Sequence, residues 1–228
     1  MAGKFDRDET RRSYDVVARE YADNIAGELA GKPFDRAFLD RLAEELHGRG
    51  RVVELGCGPG HVAGYLAQRD LDVSGLDLSP AMVEQAKRLF PSVEFVVGDM
   101  LNLPWPDGSL AATVSFYSIV HFDDEQLSTA LGEMARVLKP GGLAALAFHI
   151  GDQTLHRDEW WEQPVALDFR FFEPDHVVEI LAAAGFEMRS REERDPYPPP
   201  VEFQSRRAYI LAERPQSPEA SPSVRRRS

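Results

Sequence analysis

Residues 52–61 read VVELGCGPGH, an apolar run of strand type that meets three glycines and passes into a helical pattern. Nothing else in the chain restricts the fold as much. Glycines 56, 58 and 60 allow the backbone to turn sharply and to approach a ligand closely. A strand, a glycine turn and a helix in that order open an α/β sheet whose ligands lie beyond the carboxyl ends of its strands. Further strand-like runs follow: LDVSGLD (71–77), VEFVV (93–97), AATVSFYS (111–118) and LAALAFH (143–149). Helical patterns separate them, as helices covering a mostly parallel sheet require. PAMVEQAKRLF sits behind a Ser79 cap with Pro80 in the first helical position. EQLSTALGEMARVLK places Leu127, Leu131, Met134 and Leu138 on one face, a core stripe, and KPGG (139–142) is expected to break that helix before the next strand.

Beyond residue 150 the pattern changes. GDQTLHRDEWWEQPVALDFRF is too irregular for a strand and helix pair and too aromatic for an idle linker, so about 150–172 reads as an insertion over the site. PDHVVEILAAAGF reads as a helix stopped by Gly185, and FEMRSREE and RRAYILAE as two final strands. Upstream, SYDVVAREYADNI and FDRAFLDRLAEEL form a helical cap over about 10–46. The expected organisation is one domain, residues 1–213, followed by a Pro/Ser-rich tail, 214–228, with too little apolar surface to order itself.

The ligand of the turn is constrained by charge. A dinucleotide fingerprint wants its third glycine at position 61, where His61 stands. Glu54 just before the turn would oppose a pyrophosphate unless it pointed away, and would welcome an ammonium or sulfonium. Asp77 ends the second strand, where a carboxylate can accept ribose hydroxyls. Asp99 ends the third, positioned to accept an adenine amino group with the Met100 amide on the ring. A solvated strand end is the ordinary reading of one such acid, but three in series beside a glycine turn are a poor coincidence.

Taken together, ELGCGPG, LDLSPAMVEQAK and GDMLNLPWPDGSLAATVSFYSIVHF resemble the successive motifs of class I S-adenosylmethionine-dependent methyltransferases. The resemblance runs from about Tyr14 to Phe186. It implies a Rossmann-like, mostly parallel seven-stranded sheet with helices on both faces and a final antiparallel strand. It further implies S-adenosyl-L-methionine as cofactor, its methionyl part over Gly56, Cys57 and Gly58, its ribose at Asp77, and its adenine against Leu78, Met82, Asp99 and Met100. Phe116 would line the cleft, and an N-terminal helix would fold over it with Tyr14 and Tyr21 facing inward. The chain departs from the pattern at Ala111, where relatives often have an aspartate.

Methyl transfer is an in-line displacement, so the protein mainly aligns its reactants and supplies a base only where the acceptor loses a proton. His121 and His149, just past strand ends, are the candidates, with Tyr14 beside them; His156 lies in the insertion. A histidine there is as readily a polar group hydrogen-bonded beside the core. No tight ligand spacing supports a metal, and the single cysteine, Cys57, forms no intrachain disulfide. Trp160, Trp161, Phe169, Phe171 and Phe172 either wall an acceptor or form a satellite core. A net charge of −12 disfavours nucleic acid, and no apolar run spans a bilayer. The expectation is a cytoplasmic enzyme acting on a small molecule, through oxygen, nitrogen or carbon. A nicotinamide-dependent oxidoreductase and a non-catalytic cofactor-binding protein are the competing readings.

Overall fold

The structure, a computed structural model, describes residues 5–216; residues 217–228 of the expected tail lie outside them. Seven strands form one sheet: β1 (Val52–Leu55), β2 (Val73–Asp77), β3 (Glu94–Val97), β4 (Leu110–Phe116), β5 (Leu138–His149), β8 (Glu187–Arg194) and β9 (Arg207–Glu213). Their order is β3-β2-β1-β4-β5-β9-β8. β9 runs antiparallel to both neighbours and the other pairings are parallel. The chain moves outward from β1 through β2 to β3 and then returns to β4 beside β1. A crevice therefore opens at the carboxyl ends of β1 and β4, the switch point of an open sheet.

Alternation along the strands supplies two cores. Val52, Val73, Ala112, Val114 and Phe116 face α2 (Pro33–Leu46), α3 (His61–Ala67) and α4 (Pro80–Leu89). Val53, Leu55, Leu146 and Phe148 face α5 (Asp124–Val137) and α6 (Pro174–Ala183). Ser79 caps α4 by accepting from the Met82 amide at 3.1 Å, with Pro80 in the first turn. Asp123 and Gln126 close a reciprocal capping box on α5. Gly185 (φ +90°) follows the end of α6, as a left-handed stop residue does.

Three details depart from the sequence expectations. β5 begins at Leu138 and runs through KPGG, with a register shift against β4 and Gly141 at φ +76°; the glycines bend the strand and do not precede it. The insertion is a regular hairpin of β6 (Thr154–Trp160) and β7 (Gln163–Arg170). Its two-residue turn places Trp161 and Glu162 at φ +49° and +61°, a geometry that normally selects Asn-Gly. Arg214, expected in the tail, continues the β5–β9 ladder: its amide donates to Gly142 O and its carbonyl accepts from Gly141 N.

Helix α1 (Arg7–Ile25) packs against neither sheet core. It lies between α4 and the hairpin, where Val17, Val165 and Leu167 form a third small core with Tyr14, Trp160, Trp161 and Phe169 around it. Beneath the loop before β9, Glu202 sits with its side chain 1% exposed between two arginines. Its Oε1 is 2.5 Å from Arg194 Nη1, and its Oε2 is 3.1 Å from Arg207 Nε, in contact but off line for a hydrogen bond. Removing one member of such a cluster leaves buried charge uncompensated, at about 3–5 kcal/mol. Glu202→Ala should therefore lower the melting temperature by about 10 °C, measured by calorimetric scanning; a change below about 2 °C would show the cluster to be dispensable.

Candidate functional site

The site begins where β1 ends. The amides of Gly56 and Cys57 both donate to Leu76 O, at 2.8 and 3.0 Å, which folds the turn back across β2. Gly56, Gly58 and Gly60 take φ of +68°, +50° and +78°, values that an L side chain resists. At Gly56 the restriction is also spatial, since a Cβ would stand 2.3 Å from Ser118 Cβ. The turn floors a cavity of about 110 Å³ at the carboxyl ends of the strands.

A buried acid, Glu54, and a half-buried one, Asp77, face this cavity. Glu54 is 2% exposed; its Oε2 accepts from the Ala63 amide at 2.7 Å, and among the described residues no donor reaches Oε1. Burial pushes its carboxyl well above the usual range, and the nearby Asp77 adds to the effect. Asp77 accepts from Gly58 N at 2.7 Å and from Ser79 N at 2.9 Å. Burial nonetheless raises it to about 6, outweighing those two hydrogen bonds. Neither acid has a cationic partner among the described residues. Each carboxylate oxygen accepts more than one hydrogen bond, so the pair is suited to a ligand carrying a positive group and hydroxyl donors.

Leu78, Met82, Met100 and Phe116 supply apolar wall, and Cys57 lies in the turn with its thiol pushed well up by burial. Tyr14 and Tyr21 project from α1 into the same space, their rings edge to face with centroids 5.8 Å apart. Tyr14 meets His121 here. His121 Nδ1 donates to the Asp168 carbonyl at 2.8 Å. That bond fixes the proton on Nδ1, so Nε2 accepts from the Tyr14 hydroxyl at 2.7 Å. Burial lowers His121 to about 4 and raises Tyr14 well above its ordinary value. At neutral pH the imidazole is therefore uncharged, with a lone pair directed at the cavity.

The lid over the cavity is latched on three sides. The Ser13 hydroxyl accepts from Ala166 N at 2.8 Å, Asp15 accepts from the Ser79 hydroxyl at 2.6 Å, and Arg7 pairs with Asp99. That last pair removes Asp99 from the open set expected from the sequence. One oxygen meets Arg7, the other accepts from Leu101 N at 2.6 Å, and the residues lining the cavity at this end are Gly98 and Met100. His149 is also elsewhere. Its Nδ1 lies 2.7 Å from the Ser205 hydroxyl and its ring stacks on Phe171 at 5.0 Å, on the far side of Tyr117. Burial, together with the charges of Arg207 and Lys32, lowers it to about 3. The hairpin tryptophans hold α1 and do not line the cavity.

Arg7, His61, Tyr117 and Ser118 are among the lining residues that were not candidates in the sequence. His61 follows the last glycine directly, and that adjacency was a usable signal. Tyr117 at φ +57° gives no sign of its conformation in a single sequence. Among the described residues no group of three His, Cys, Asp or Glu side chains is arranged to hold a metal, and no helix is long and apolar enough to cross a membrane.

Comparison with known proteins agrees with this geometry. A family model described as a methyltransferase domain matches residues 52–142, the span from β1 into β5. The chain is 34% identical over 198 residues to malonyl-[acyl-carrier protein] O-methyltransferase from Halorhodospira halophila, covering 81% of this chain and 63% of that protein. It thus spans less than two thirds of that relative. It is 31% identical over 170 residues to an uncharacterised methyltransferase from Synechocystis, covering 74% of this chain and 75% of the relative. A solved methyltransferase structure from Methanosarcina mazei superposes with a TM-score of 0.66 at 18% identity, covering 73% of this chain and 93% of that one. With the glycine turn, the strand order and a relative matched over three quarters of its length, the chain belongs to the class I S-adenosylmethionine-dependent methyltransferases.

Proposed function

We propose that the cavity binds S-adenosyl-L-methionine and that the protein transfers its methyl group to a small-molecule acceptor. One observation carries the reading: buried Glu54 and half-buried Asp77 are two elevated carboxyls behind the glycine turn, with no cation among the described residues to neutralise them. A pyrophosphate there would meet repulsion, whereas an ammonium, a sulfonium and ribose hydroxyls meet acceptors. Asp77 would hold the ribose, Glu54 and the Gly56–Gly58 backbone the methionyl end, and Leu78, Met82 and Met100 the adenine, with Tyr21 and Phe116 closing the space around the sulfur. When bound, the cofactor supplies an electrophilic methyl on a positively charged sulfur.

His121 and Tyr14 would serve the acceptor. An acceptor hydroxyl that displaces the Tyr14 hydroxyl from Nε2 meets an unprotonated ring nitrogen, held in that tautomer by the Asp168 carbonyl. A hydroxyl acceptor needs this group, and an acceptor that arrives ionised does not. His149 packs against Tyr117 and Phe171 and does not line the cavity, so it would not share the proton. The malonyl-carrier relative acts by O-methylation, as its name states, and oxygen is accordingly the acceptor atom favoured here.

The pH dependence separates the two roles. Protonating Asp77 removes the charge that strengthens its hydrogen bonds to the ribose hydroxyls, so affinity for S-adenosylhomocysteine should fall by up to about tenfold per pH unit below about 6. His121, at about 4, contributes no loss in that range. With a hydroxyl acceptor, His121→Asn should lower kcat about 100-fold and leave the pH dependence of binding in place. An unchanged kcat across a set of hydroxyl acceptors would remove His121 from the reaction.

A further inference from the structure

His61 opens α3 one residue after Gly60 and borders the same cavity as Glu54 and Gly58. Its Nε2 lies 3.2 Å from Glu28 Oε1, and Glu28 Oε2 lies 2.7 Å from Lys32 Nζ. The Lys32 side chain is 5% exposed. Burial alone would raise the Glu28 carboxyl, but the hydrogen bond from His61, together with the charge of Lys32, helps to outweigh it and hold it at about 2. Glu28 is therefore ionised and can only accept, which puts a proton on Nε2 of His61.

The other ring nitrogen is left without a partner. Nδ1 of His61 is buried, and no hydrogen-bond partner reaches it among the described residues. An orphaned buried polar atom costs about 1–3 kcal/mol, a cost that a ligand donor would remove. Glu54 Oε1, on the same cavity, also lacks a donor. Two acceptors without donors, one of them a carboxyl oxygen that a cation would draw into its ionised form, call for a group that carries several N–H bonds and a positive charge.

We infer that His61 binds the ammonium group at the amino-acid end of the ligand by accepting through Nδ1, alongside Glu54, and that Glu28 and Lys32 are positioning residues that fix its tautomer. The inference rests on the cofactor reading above and adds to it a residue set reaching from the cavity into the buried ionic cluster. It also specifies which part of the ligand His61 reads.

Calorimetric titration of the full chain with three nucleosides tests this. S-adenosylhomocysteine carries the ammonium and the carboxylate, its decarboxylated analogue keeps only the ammonium, and 5′-methylthioadenosine has neither. His61→Phe should weaken the first two about tenfold and leave the third unchanged. His61→Asn, whose amide oxygen stands near the place of Nδ1, should recover most of the loss. Glu28→Gln should weaken the same two ligands several-fold and spare methylthioadenosine, a selectivity that a merely structural role would not produce. Equal losses for all three ligands would overturn the inference. So would a loss confined to S-adenosylhomocysteine, which would make the carboxylate the partner. If the unsubstituted protein binds none of the three, the cofactor reading falls and this inference with it.

Discussion

Gly56→Ala is expected to abolish binding of S-adenosylhomocysteine and to lower the stability of the fold by about 3 kcal/mol. About 1–2 kcal/mol comes from holding an L residue in the left-handed region at φ +68°. The remainder comes from the 2.3 Å approach to Ser118 Cβ. Ser118 cannot step aside cheaply, because its hydroxyl donates to Leu55 O at 2.8 Å and lies 2.6 Å from the Ser115 hydroxyl. Urea denaturation measures the stability and calorimetry the binding. Gly132→Ala is the control: a Cβ at that position in α5 meets nothing within 4 Å, so alanine should gain up to about 1 kcal/mol. If Gly56→Ala behaves like the control, the turn is not the rigid floor described here.

The second large effect is expected at Asp77, where binding and stability should part company. Asp77→Ala removes a carboxylate whose burial already opposes its charge, a relief to the fold. It also strips the Gly58 and Ser79 amides of their acceptor, a loss of similar size. The two offset, and stability should stay within about 1 kcal/mol. Affinity for S-adenosylhomocysteine should fall at least about 100-fold, since charge-assisted hydrogen bonds contribute about 1.5–3 kcal/mol each. An affinity within tenfold of the unsubstituted protein, with the fold intact, would place the ribose elsewhere.

Much of this architecture was legible in the sequence because its signals are local. The glycine turn, the Ser79 cap with Pro80, the α5 stripe and the Gly185 stop each lie within a few residues of the element they define, and each stands where the sequence places it, except that Leu138, expected to end the stripe, opens β5. The hairpin was hidden because its turn residues are Trp161 and Glu162, which carry none of the usual turn chemistry. The strand start at Leu138 was hidden because KPGG reads as a break while the chain only bends there. At the site, the acids at the strand ends were found from the sequence and Tyr14 and Tyr21 through the resemblance, whereas Tyr117 and Ser118 just past β4 and the distant Arg7 were not. Arg7 reaches Asp99 across the top of the sheet, a pairing that no spacing announces. His149 ends β5 as expected, but the positive φ of Tyr117 puts a ring between it and the cavity.

The central claim is that this cavity accepts a sulfur nucleoside with an amino-acid end and refuses a dinucleotide. It is tested most directly by titrating the unsubstituted protein side by side with S-adenosylhomocysteine and with NAD at pH 7.5. The account predicts saturable binding of the sulfur nucleoside and none of NAD. Binding of NAD without binding of S-adenosylhomocysteine would contradict it, and the two acids behind the glycine turn would then need another explanation.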